Sequence, residues 1–359
     1  MQKRSKRIES LQGLRAIAFL AIFISHSRVF NCGYLGAWGV SVFFVLSGFL
    51  MTYNYMPRQD FKYPSPIVFG WQKIKKLYPL HIVTMILCLI YSILNGGGQP
   101  LFLITALHIL LLQIWIPNSL YYETLNGVSW YLCACLFTYI CFPLIVKVLK
   151  KIQNKKRFFV CLFGIEFCFS VFAYYFGAPI KSEPFSMQWI TYYFPVSRLI
   201  DFTIGCCLGS IFMEHCEKNV KVADILIQAA VPIILIVSFF CYSTGKTILG
   251  QEYVKYSLLF VLTSCLIVWE TAADKTFYNK MMSNHLLHML GDLSPYAFLI
   301  HAVIIKYLFA VNHIVLDNKV NAVWIALVSF VLTVIGSKVW IHAQLEVKLF
   351  KERKLKCEK

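Results

Sequence analysis

Apolar residues in this chain gather in long runs that recur from end to end, separated by short polar segments and with no low-complexity tract between them. A run must reach about 20 residues to cross about 30 Å of hydrocarbon as a helix. Ten runs come near that length: residues 11–30, 35–55, 77–94, 127–146, 158–176, 195–213, 225–242, 254–270, 293–311 and 322–341. An eleventh, Phe102 to Ile116, is bounded by Gly96-Gly97-Gly98-Gln99-Pro100 on one side and Pro117 on the other. The pattern predicts an all-α fold, a polytopic integral membrane helical bundle of about ten transmembrane helices plus one re-entrant or interfacial helix. It is read as one membrane-embedded unit over residues 1–346, followed by a basic cytoplasmic tail at 347–359.

Composition supports that reading. Hydrophobic residues make up 58% of the 359 and charged residues only 14%, with a mean hydropathy of +0.65. A water-soluble chain carries charge on about a quarter of its residues, so a soluble enzyme is excluded. The net charge of +17 raises the question of nucleic acid, and its distribution answers in the negative. The Lys and Arg residues lie between the apolar runs, as cytoplasmic loops require.

If Phe102 to Ile116 does not cross, the inner segments hold Lys3, Arg4, Lys6 and Arg7, then Arg58, Lys62, Lys73, Lys75 and Lys76, then Lys147, Lys150, Lys151, Lys155, Lys156 and Arg157. Lys218, Lys221, Lys275, Lys280 and the basic tail continue the series, while the outer loops keep Lys181, Lys246 and Lys319. Both termini are then expected in the cytoplasm, with the first run retained as a span because it carries Arg15 and His26 and lacks a small-x-small cleavage site. The 13 cysteines form no CxxC and fall mostly inside apolar runs, so they read as small buried hydrophobes, and no metal site is expected.

A charge in the bilayer core costs at least about 2.5 kcal/mol, which makes each intramembrane ionisable group a functional candidate. Arg15 and His26 stand eleven residues apart, three turns plus roughly 20°, so both project from one helix face about 16 Å apart along the axis. The plainer alternative has Arg15 snorkelling to the inner headgroups and His26 capping the outer end. Arg198 and Asp201 are three residues apart and read first as a self-satisfying salt bridge. His301 lies mid-span in the ninth run, where a lone histidine is usually hydrogen-bonded packing. His81, His108, Glu166, Lys306 and Lys338 have no spacing that gives them a shared role. Lys73, Lys75, Lys76 and Tyr78 form a basic group at the inner headgroup level that either holds phosphates or orients the third span. Gly36, Gly39, Ser47 and Gly48 give the second run a small-residue face for close helix approach.

Taken together these features resemble acyltransferase family 3, membrane-bound O-acyltransferases of cell-surface carbohydrates. The resemblance rests on SLQGLRAIAFLAIFISHS, with Arg15 and His26 in the family's spacing, on GAWGVSVFFVLSGFLMTY, and on KIKKLYPLH, where Lys73 and Lys76 stand in the places of arginines. It continues through GVSWYLCACLFTYICFP at Trp130 and Pro143, SRLIDFTIGCCLG at Arg198, Asp201, Gly205 and Gly209, and GDLSPYAFLIHAVII at Ser294, Tyr296 and His301. It covers roughly residues 8–346, and its first two segments are the most specific. One departure stands out: Cys135 and Leu136 occupy positions where many members carry a pair of glutamates, so no carboxylate is available from this helix.

The resemblance implies an acyl donor, usually acetyl-CoA at the cytoplasmic face, and an acceptor hydroxyl on a glycan or lipid-linked glycan at or beyond the outer leaflet of the plasma membrane. Arg15, Lys73 and Lys76 are the residues expected to hold the phosphates of acyl-CoA. His26 is the expected catalyst, as general base or as a transiently acylated nucleophile. Ser47, Arg198, Asp201 and His301 are expected as possible cavity-lining residues. The sequence contains no fused hydrolase-like domain, so the acceptor is expected to be handled by the membrane core. Expected partners are acyl-CoA, the glycan acceptor and membrane lipids, with glycan-assembly proteins as further candidates, and with no nucleic acid and no permanently bound cofactor. Two other function classes remain: a transporter or flippase of a lipid-linked saccharide, and a non-catalytic member of a glycan-assembly complex.

Overall fold

The computed structural model describes residues 8–30, 32–57, 64–96, 100–176, 183–215, 230–237, 258–315 and 320–357. Several expectations fall elsewhere. Lys3, Arg4, Lys6, Arg7, Arg58, Lys62, Lys181, Lys218, Lys221, Lys246 and Lys319 lie outside the described residues, as do the side chains of the tail from residue 351.

Helices dominate the described residues. In chain order they are α1 (Ser10–His26), α2 (Gly33–Tyr55), α3 (Pro66–Ile74), α4 (Tyr78–Leu94), α5 (Leu101–Leu110), α6 (Ser119–Tyr122), α7 (Trp130–Lys151), α8 (Lys155–Phe176) and α9 (Pro195–His215). After these come α10 (230–237), α11 (Leu258–Ala272), α12 (Phe277–Met282), α13 (His285–Ile314) and α14 (Ala322–Cys357). Among the described residues six are long and apolar enough to cross a membrane: α2, α7 with the turn before it, α8, α9, α13 and α14. The pair α3 and α4 passes as a broken span bent by 65°, which raises the number to seven. The expected count of about ten is not confirmed among the described residues. The difference lies in α1, which at 17 residues is short of a full crossing, in α11, described over 15 residues from Leu258, and in the tenth helix, described only over 230–237.

Phe102 to Ile116 resolves into α5, ten residues long and hence about 15 Å, half of the hydrocarbon thickness. Leu111 then takes a left-handed conformation at φ 54° and ends the helix. Two buried histidines hold this segment down. One ring nitrogen of His81, Nε2, donates to the His108 carbonyl at 2.9 Å, and His108 Nε2 donates to the Tyr121 carbonyl at 2.9 Å. They tie α4, α5 and the approach to α7 together, the packing role that isolated intramembrane histidines usually have.

The core forms around α2, which is apolar on all sides and buried along most of its length. Its closest neighbour is α9. A methyl group added at Gly48 would meet the Phe202 carbonyl, and one added at Gly205 would meet the Val45 carbonyl, so the two backbones touch only because neither residue has a side chain. On its other side α2 packs against α1, and α1 against α13. Asn284 starts α13 by accepting from the Leu286 amide at 2.9 Å. Along α14, Ser329, Thr333 and Ser337 are fully buried and each donates to the carbonyl four residues earlier at 2.7 Å. Val331, Ile335 and Val339 on the same helix are exposed, as a lipid-facing surface would be.

Candidate active site

The break between α3 and α4 builds one end of the site. Pro79 sits in the first turn of α4, where its missing amide is not needed, and the chain turns through Lys75, Lys76 and Leu77 to restart there. Lys73 and Lys76 consequently face a cavity of about 250 Å³ that Arg15 of α1, Ser47 of α2, Cys135 and Tyr139 of α7, and Tyr296 of α13 also line. Three of the residues expected to bind phosphate thus share one cavity. Lys73 donates to the Tyr55 hydroxyl and lies 4.1 Å from the Tyr55 ring centre and 4.8 Å from that of Phe69, so it is fixed as well as charged. Lys76 is exposed and Arg15 half-buried. Among the described residues no carboxylate pairs with Arg15. Ser47 accepts from the Tyr139 hydroxyl at 3.5 Å, and Cys135 presents a thiol where the resemblance would place an acid.

At the other end of α1, His26 Nδ1 and His301 Nε2 are 3.0 Å apart. Their roles follow from the other bond of His301. Its Nδ1 is 3.1 Å from the Ala297 carbonyl, which can only accept, so Nδ1 carries the proton and Nε2 is the lone-pair nitrogen of the neutral ring. His26 Nδ1–H must then donate to it. That leaves the lone pair of neutral His26 on Nε2, the form a general base needs. His301 is fully buried among the rings of Phe19, Phe23 and Phe298, at centroid distances of 5.8, 6.1 and 5.9 Å. His26, by contrast, is exposed and opens onto two cavities.

The smaller of these, about 150 Å³, is lined by Ile22, Ser25, Ala37, Val40 and Phe298 among others, and shares Val128, Trp130 and Tyr193 as well as His26 with its neighbour. The larger, about 240 Å³, brings Glu123, Asn126, Trp130, Tyr193 and Lys306 to the same histidine. Here Glu123 accepts from the Tyr193 hydroxyl at 2.9 Å, Lys306 donates to the Leu125 carbonyl at 3.0 Å, and the buried Asn126 Oδ1 has no hydrogen-bond partner. Burial and the neighbouring Glu123 carboxylate push the Tyr193 phenol well above its usual range, so it remains a donor. Sugar rings are commonly held by such a mixture of aromatic faces and hydrogen-bonding groups.

Arg198 and Asp201 form the ion pair their spacing suggests, Nη1 to Oδ2 at 2.7 Å, with both side chains buried. They line none of these three cavities, and Glu166 of α8 is close enough to interact electrostatically with both. Ser47 does line a cavity, and His301 acts behind His26. The histidine pair and the Asn126 and Lys306 side of the site are what sequence reasoning missed. The available signal was the price of an intramembrane ionisable group at His301 and Lys306, but no local spacing connects residues 275 positions apart in the chain.

Comparison with known proteins gives the following matches. A family described as an acyltransferase domain matches residues 8–339. Acyltransferase MdmB of Streptomyces mycarofaciens is 27% identical over 335 residues, which are 86% of this chain and 81% of that protein. Peptidoglycan O-acetyltransferase OatA of Listeria monocytogenes is 24% identical over 350 residues, 91% of this chain, and this chain spans only 54% of the length of that protein. No solved structure matches.

Proposed function

The chain belongs to acyltransferase family 3 and is a membrane acyltransferase; from that premise we propose that it moves an acyl group, acetyl first of all, from acyl-CoA to a hydroxyl of a cell-surface or lipid-linked glycan. The observation that carries this reading is the division of labour along α1: Arg15 opens onto a basic cavity and His26 onto a polar aromatic one. Arg15, Lys73 and Lys76 hold the CoA phosphates at the cytoplasmic face of the plasma membrane, with Arg15 supplying a forked donor and the lysines point charges. An extended pantetheine arm is comparable in reach with the roughly 16 Å between Arg15 and His26. The acceptor enters by the outer cavity, where Trp130 and Tyr193 offer ring faces and Asn126 Oδ1 accepts a sugar hydroxyl. A glycan acceptor is in keeping with the name of the Listeria relative. Both termini then lie in the cytoplasm.

In the transfer step His26 Nε2 takes the proton of the acceptor hydroxyl as that oxygen attacks the thioester carbonyl. The carbon–sulfur bond breaks, an ester bond forms, and the imidazolium returns its proton to the departing CoA thiolate. His301 accepts the Nδ1 hydrogen bond throughout, so it is a positioning residue. The test uses purified protein in liposomes that carry membrane glycan, with acetyl-CoA labelled in the acetyl group. Label appearing in carbohydrate supports the proposal. Movement of glycan across the bilayer without label transfer would instead identify a flippase.

A further inference from the structure

Resting on the acyl-CoA reading above, we propose that the cavity of about 150 Å³ beside His26 is the acyl pocket, that it admits short acyl chains only, and that Phe298 is the partition that sets this limit. Phe298 lines both the basic cavity and the pocket and is only 6% exposed. Its ring is 5.0 Å from Tyr131, 6.3 Å from Phe43 and 5.9 Å from His301. A thioester that enters beside Arg15 reaches His26 past this ring.

Beyond Phe298 the pocket wall carries the apolar side chains of Ile22, Ala37, Val40 and Val128 and the rings of Trp130, Tyr192 and Tyr193, with Ser25 and His26 adding polar groups. The wall has no slack at Gly36, where an added methyl would run into the Ser25 hydroxyl. At about 30 Å³ for each water-sized group, a pocket of this volume holds on the order of five heavy atoms. Acetyl and propionyl fit within that limit, butyryl fills it and hexanoyl exceeds it. When the bond to sulfur breaks and the ester forms, the acyl chain stays in the pocket while the CoA thiol withdraws toward Arg15 and the acceptor oxygen arrives from the side of Glu123, Asn126 and Lys306.

The test measures transfer of label from acetyl-, propionyl-, butyryl- and hexanoyl-CoA, each labelled at the carbonyl, into carbohydrate of membranes from cells expressing the chain. Wild type should use acetyl and propionyl and should discriminate strongly against hexanoyl. Phe298→Ala should raise the hexanoyl-to-acetyl ratio by about 10-fold or more, since one methylene in an apolar pocket is worth about 10- to 200-fold in discrimination. Phe298→Leu should give a smaller rise and decides the matter if the alanine variant fails to fold. Ala37→Val, elsewhere in the lining, should shift preference toward acetyl.

Equal use of hexanoyl- and acetyl-CoA by wild type would overturn the inference. So would an unchanged ratio in a Phe298 variant that binds CoA normally. Transfer from none of the four donors by wild type would be a different failure, that of the acyl-CoA reading itself, and would take the inference with it.

Discussion

Replacing His301 by phenylalanine keeps a ring among Phe19, Phe23 and Phe298 and removes the nitrogen that accepts from His26 Nδ1 at 3.0 Å. The net value of such a bond is about 0.5 to 1.5 kcal/mol. With about 1.4 kcal/mol for each factor of ten, the transfer rate should fall by roughly 2- to 12-fold. If the His26 proton moves to Nε2 as well, the lone pair needed for catalysis is lost, and a wrong tautomer reduces the rate by up to about 10⁴-fold in a comparable imidazole base. CoA affinity should not change, because Arg15, Lys73 and Lys76 line a separate cavity. His301→Gln restores an acceptor and should recover part of the rate. The assay is single-turnover transfer of labelled acetyl in proteoliposomes, run beside CoA affinity and thermal unfolding for each variant. Wild-type kcat in His301→Phe would refute the reasoning. Equal losses in the phenylalanine and glutamine variants, both with a lowered Tm, would reduce His301 to packing.

Three further outcomes are expected. Arg15→Gln should weaken CoA binding with little salt dependence, whereas neutralising Lys73 and Lys76 together should weaken it in a way that shrinks at high ionic strength, because screening over about 8 to 10 Å acts on charges at a wet surface; Arg15→Lys should rescue in part, and unchanged affinity across all of these would remove the donor site. Gly205→Ala should separate α2 from α9 at a cost of about 1 to 3 kcal/mol, read as a lower Tm, and unaltered stability would contradict the backbone contact. Single cysteines near Lys155, in a variant with its native cysteines replaced, should label only from the cytoplasmic side, and external labelling would reverse the proposed orientation.

The elements were more legible in the sequence than the site. Apolar run length located helices at 35–55, 158–176 and 195–213 because lipid imposes an unbroken period of burial that a single sequence displays directly. It said less about α1, whose helix stops at His26, and about the bend at Lys76, which depends on how α4 restarts at Pro79. Arg15 and His26 were visible as unaffordable charges on one face, and Arg198 with Asp201 as a pair at helical spacing. The structure adds the contacts between distant segments. His301 reaches His26 only because α1 packs against α13, and Asn126 and Lys306 meet at one cavity through a loop and a helix that no local pattern links. Cys135 in the basic cavity was evident as a departure from the family pattern, and its position there leaves Arg15 without a carboxylate partner among the described residues.

The central claim is that His26 performs the transfer, and the most direct measurement is single-turnover transfer of acetyl from labelled acetyl-CoA to membrane glycan by wild type and His26→Ala in matched proteoliposomes. General acid–base catalysis contributes about 10² to 10⁴ in rate, so the variant should bind CoA as wild type does, unfold at a similar temperature, and transfer at least about 100-fold more slowly. Transfer by His26→Ala at a rate close to wild type would contradict the account and return His26 to the capping of α1.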